Sequence, residues 1–174
     1  MEKTSLSEQL MELMIEDEAW KNLSGIHDWN EAELEKYKDR IDWNEVSSSN
    51  LIEWTIPMLE KFKERINWNE LSDIGNMDSF TPEVLERFKD KLDWRKLSGK
   101  VNLTIETIRK MADYLDWKSL INHRDLNEIF DMAFLKEFED RIPATYLRDS
   151  ALWYNLVAKK VALLNIELAL ERKE

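Results

Sequence analysis

Cysteine is absent from the 174 residues. That removes disulfides, thiolate nucleophiles and cysteine-based zinc or iron–sulfur centres, and it fits a reducing compartment. Glycine occurs three times and never in a cluster, so no Gly-rich loop is available to cradle a phosphate. The two histidines, His27 and His123, lie far apart and in no metal-binding spacing of the His-Glu-x-x-His kind. Ser47, Ser48 and Ser49 have no histidine near them in the chain. Carboxylates abound, but no pair stands out as an acid–base couple. The expectation is a protein that is not an enzyme and uses no cofactor and no metal.

Long apolar runs and positive charge are also scarce. The most apolar stretch, Ala151 to Leu170, is interrupted by Asn155, Lys159, Lys160, Asn165 and Glu167, so no membrane span is expected. Met1 to Gln9 is polar and lacks the basic-then-apolar order of a secretory leader, which points to the cytoplasm of a cell or of a host. A net charge of −11 disfavours nucleic-acid binding, because phosphate affinity rests on Lys and Arg. A partner protein with a basic surface fits better. The charge is uneven: residues 1–53 hold five Lys/Arg against fourteen Asp/Glu, whereas residues 80–102 hold six against four.

What is present is a repeat. The blocks beginning Tyr37-KDRIDWNEVS, Phe62-KERINWNELS and Phe88-KDKLDWRKLS align without gaps, and Met111-ADYLDWKSLI follows them. Extension backwards takes in Met14 and Trp20; extension forwards takes in Phe138 and Ile142, with Pro143-Ala144 where Asp-Trp stands elsewhere. Six copies of roughly 25 residues result, starting near residues 6, 29, 54, 80, 103 and 130.

Each copy has a helix-start residue: Ser7, Asn30, Thr55, Thr81, Thr104 and Asp131. An apolar residue just before each cap and another four after it form a staple, as in Trp54 with Leu59. A helix of about three turns is expected from each cap. Asp42, Asn67, Asp93 and Asp116 then cap a one-turn Trp-x-x-Leu-Ser helix, with Glu45 and Glu70 completing capping boxes. Gly25 and Gly99 suit left-handed helix ends.

Such units cannot bury both faces alone, so the expected fold is all-α: a short α-solenoid over residues 1–149, and a longer helix over 150–174 that caps the last copy or joins a second chain as a homo-oligomer. The stretches of varying length, Ser48–Trp54, Asp73–Phe80, Gly99–Leu103 and Asn122–Phe130, mark the expected binding face.

The Phe-x-Asp-x-Leu-Asp-Trp-x-x-Leu-Ser unit resembles short tandem helical repeats that recur in uncharacterised proteins of phages, large DNA viruses and some bacteria, over about residues 6–149. The resemblance implies a fold and a viral or mobile-element origin, and no catalytic motif. Glu18-Ala19 in the first copy, Ile121 in the Ser place of the fifth and Pro143-Ala144 in the sixth depart from the pattern.

The Trp recurring once per copy reads as core. On the surface, Glu35, Glu60 and Glu86 share one repeat position, and Asp39, Glu64 and Asp90 share another. Lys36, Lys61 and Arg87 stand beside the first, with Arg40, Arg65 and Lys91 one turn on. The six acidic residues are the candidate partner-binding residues; the plainer reading is a solvated face of opposite charges. The leading functional expectation is a non-catalytic protein–protein interaction module. The alternative is a phage- or virus-type inhibitor of a host defence or nucleic-acid enzyme, acting by acidic mimicry of nucleic acid.

Overall fold

The computed structural model describes residues 6–74 and 79–172. Among these, every element is helical and no strand occurs. A long α1 (Leu6–Ile26) leads into five pairs: α2 (Glu31–Tyr37) with α3 (Trp43–Ser48), α4 (Ile56–Phe62) with α5 (Trp68–Leu71), α6 (Pro82–Arg87) with α7 (Trp94–Leu97), α8 (Ile105–Met111) with α9 (Trp117–Leu120), and α10 (Met132–Glu137) with α11 (Ala144–Leu147). A second long helix, α12 (Ala151–Glu171), follows. Packing divides the chain into two compact units, residues 1–84 with 90–92, and residues 85–89 with 93–174.

The helix starts follow from the caps. The side chains of Asn30, Thr55, Thr104 and Asp131 each accept a backbone N–H from the residue three further on, and Asp42, Asn67, Asp93 and Asp116 cap the short helices. The first helix of a pair is shorter than expected. α2, α4 and α8 each hold seven residues, about two turns, and then tighten into a turn that carries Ile41, Ile66 and Leu115 into the core. The staple residues Trp29, Trp54, Phe80, Leu103 and Phe130 are all buried, as are Leu34, Leu59, Leu85 and Ile108.

Each repeat tryptophan is held from inside its own pair. The indole N–H of Trp43, Trp68, Trp94 and Trp117 donates to the carbonyl five residues earlier, at 2.8–3.0 Å. The ring then meets an aromatic of the following segment: Trp20 with Tyr37 and Trp43 with Phe62 in the first unit, Trp94 with Tyr114 and Trp117 with Phe138 in the second, with centroids 5.0–5.9 Å apart.

The repeat serine joins one segment to the next. Ser24, Ser47 and Ser72 donate to the carbonyl of the Trp four residues before, at 2.5–2.7 Å. The hydroxyls of Ser24, Ser47 and Ser98 each accept, at 2.9 Å, the backbone N–H of the cap residue that opens the next short helix, namely Asp42, Asn67 and Asp116. This corrects the capping-box expectation at Asp42–Glu45 and Asn67–Glu70. The cap N–H that the glutamate would bind is taken by the preceding serine. The reciprocal box forms at Asn30 and Glu33 instead.

The ends depart from the pattern. The stretch read as a first copy is one continuous helix, because Ala19 offers no cap oxygen where Asp42 does and Glu18 is a good helix former. Ser7 lies inside it rather than at its cap, and Leu6 and Met11 are exposed rather than stapled. Gly25 also lies inside α1, and no described glycine has a positive φ, so the left-handed ends are not formed. A Cβ at Gly25 would sit 3.3 Å from a Glu45 carboxylate oxygen, a tight contact that a small shift of the glutamate side chain relieves.

Candidate functional site

The predicted surface stripes pair with each other. Among the first-unit residues, Lys61 Nζ lies 3.1 Å from Glu31 and 3.6 Å from Glu35; Arg65 lies 2.8 Å from Asp39, and Lys91 3.5 Å from Glu64. In the second, Lys110 lies 3.4 Å from Glu86, and Arg141 2.5 Å from Asp113. In each case the base of one segment reaches the acid of the segment before. Glu60 pairs with Lys63, the residue just past the end of α4, at 3.6 Å, and Asp90 is exposed. The Glu35 carboxyl is held below its ordinary range by the hydrogen bond from Lys38, with the charges of Lys38 and Lys61 adding to it. Of the six candidate acids, Glu35, Asp39, Glu64 and Glu86 thus each pair with a base of the following segment.

Within the first unit, Leu51, Glu53 and Trp54 of the stretch Ser48–Trp54 and Ser79 of the stretch Asp73–Phe80 line a groove of about 510 Å³ together with the starts of α4 and α6; residues 75–78 lie outside the described residues. The groove is lined by Leu51, Trp54, Ile56 and Val84, with Thr55, Ser79, Thr81 and the carboxylates Glu53 and Glu83. Trp54 and Ser79 are buried, and the Trp54 indole N–H and the Ser79 hydroxyl have no hydrogen-bond partner among the described residues. A buried donor left unpaired is costly, of the order of 1–3 kcal/mol.

The orphan at Trp54 has a local cause. Trp29, at the corresponding place, donates its indole N–H to the Ser24 carbonyl five residues back, at 3.0 Å. The loop from Ser47 to Trp54 is two residues longer than that from Ser24 to Trp29, so the same carbonyl is out of register. Glu53, Trp54 and Ser79 lie within stretches expected on the binding face, whereas Glu83 lies outside them. The loop length was the available signal.

The histidines serve the fold. His27 sits edge-on against Trp29, centroids 4.5 Å apart, with Nε2 3.4 Å from Glu33. His123 is buried and caps the 3-10 turn Arg124–Leu126, its Nδ1 accepting the Asp125 N–H at 3.2 Å. No described helix is long and apolar enough to cross a membrane. No family model matches the chain, and no curated protein or solved structure matches it.

Proposed function

We propose that this chain is a non-catalytic protein-interaction module of the cytoplasm, in which the five helical pairs stack as a short α-solenoid and hold the groove between Leu51–Ile56 and Ser79–Val84 towards a partner protein. One observation carries the reading: the ends of two irregular loops and the helix starts that follow them form a groove over buried Trp54 and Ser79, whose side-chain polar atoms have no partner among the described residues. Apolar lining with a few convergent polar groups is the usual make-up of a recognition site. Glu53 and Glu83 at its edge, on a chain of net charge −11, suit a basic segment of the partner.

The test is a capture from lysate with three tagged chains: wild type, the groove variant Glu53→Lys/Glu83→Lys, and a charge-matched control, Glu12→Lys/Glu139→Lys. The expected result is a protein retained by wild type and control and depleted at least about tenfold with the groove variant, a loss of about 1.4 kcal/mol or more. Equal retention by all three sinks the groove assignment. Equal loss from both variants, with steep salt sensitivity, would point to diffuse acidic attraction of the nucleic-acid-mimic kind.

A further inference from the structure

The helix α12 is two structures in one. Its first half is fastened to the repeats. Ser150 caps it, Leu152 is fully buried and donates its backbone N–H to the Ile121 carbonyl at 2.9 Å, and Asn155 and Lys159 each donate to the carbonyls of Asn127 and Phe130. From Val157 to Arg172 every residue is exposed. A free stretch of that length is marginal as a helix in water, and it carries Val161, Leu164 and Leu168 into solvent.

Two rows of apolar residues are exposed along this half, and one of them, Leu163, Ile166 and Leu170, is broken at Lys159. Tyr154, Val157, Val161, Leu164 and Leu168 follow the alternating three-and-four spacing of a coiled-coil seam without a break, and all five are more than two-fifths exposed. The partner such a seam needs is a helix with the same repeat. The other long helix does not offer it. The row Leu6, Leu10, Leu13 in α1 is broken by Asp17, and residues 6–18 carry five acids and no base.

Charge selects the orientation. Lys160 flanks the seam near its start and Glu167 near its end, and neither has an ion-pair partner among the described residues. In an antiparallel pair centred between Ala162 and Leu163, Val161 faces the other copy's Leu164 and Val157 its Leu168. Lys160 of each helix then flanks Glu167 of the other. A two-fold pair of this kind uses one surface on both copies and closes. We propose that the free half of α12 is the interface of an antiparallel homodimer, the occupant being α12 of a second copy. This does not depend on the groove reading above, and the two fail separately.

Sedimentation equilibrium on the full chain should give twice the 20.9 kDa mass. Leu164→Glu should be monomeric with the repeats still folded, any loss of helical signal being confined to the free half of α12. Lys160→Glu should weaken the dimer several-fold, and Lys160→Glu/Glu167→Lys should restore it. Since the chain has no cysteine, Val157→Cys and Leu168→Cys chains report the direction: mixed and oxidised, they should form the hetero-disulfide in preference to either homo-disulfide. A monomer at high concentration overturns the proposal. So does a dimer that survives Leu164→Glu but is lost in Leu13→Glu, which would put the interface on α1, and so do homo-disulfides from each single variant, which would make the pair parallel.

Discussion

One serine per repeat does more than finish a short helix. Ser47 is wholly buried, donates to the Trp43 carbonyl and accepts the N–H of Asn67, so it satisfies one group in its own segment and one in the next. Ser47→Ala should lower the stability measured by urea unfolding by about 1–3 kcal/mol, since the Asn67 N–H loses its acceptor. Ser48→Ala, which removes an exposed hydroxyl bonded to the Glu45 carbonyl, should stay within about 0.5 kcal/mol. Equal effects would mean that the linking bond is idle. The same logic joins two departures that look unrelated in the sequence. Where Ile121 replaces the serine, the corresponding cap is Pro143, which has no N–H to donate. The acceptor and the donor are missing together, and the Ile121 carbonyl receives the first turn of α12 instead.

At the level of elements, caps decide where helices begin, and their absence decides where they run on. The contrast between α1 and the α2–α3 pair rests on Ala19 standing where Asp42 stands. A cap without neighbours of opposite charge gives the cleanest measure of this term. The Thr104 hydroxyl accepts the Thr107 N–H at 3.2 Å to start α8. Thr104→Ala should cost about 1 kcal/mol in urea unfolding, whereas Thr104→Ser should be close to neutral. A neutral Thr104→Ala would show that packing of Ile108 alone holds the helix. α11 already forms without any side-chain cap bond, over Pro143. That shows how far packing of Ile142 and the fixed proline φ can replace a cap.

For the whole molecule, the ordered surface charge makes stability depend on pH. The Glu35 carboxyl is lowered first by the Lys38 hydrogen bond, and that of Glu137 by Arg109. A carboxyl lowered on folding stabilises above the unfolded value, about pH 4.3 for Glu, and that contribution is lost as pH falls through the folded value. Lys61 is raised, chiefly by its hydrogen bond to Glu31, so its share is present through neutral pH and is lost as pH rises through the folded value, above the ordinary lysine range. Wild type should therefore lose urea resistance between pH 7 and pH 3, and Glu35→Gln/Glu137→Gln should lose less. The difference should be small, since both pairs are exposed. Identical losses would show that these pairs contribute nothing.

The repeat, the caps and the all-helical class were legible in the sequence because they rest on local chemistry. A cap oxygen three residues from its N–H, a staple between residues five apart and a Trp recurring every 25 or so residues need no distant partner to be recognised. The site was half legible. Irregular loop lengths singled out the stretches that meet at Trp54 and Ser79, yet only the fold showed that two of them share one groove and that the extra residues in one leave an indole N–H without its carbonyl. The acidic and basic stripes were also visible in the sequence. Their mutual pairing was not, because it depends on the tertiary contacts that bring Arg65 to Asp39 and Lys110 to Glu86. Local hydrogen bonds and spacing set the elements of this protein, whereas pairing between residues some 25 positions apart set which charges are neutralised and which polar groups are left for a partner.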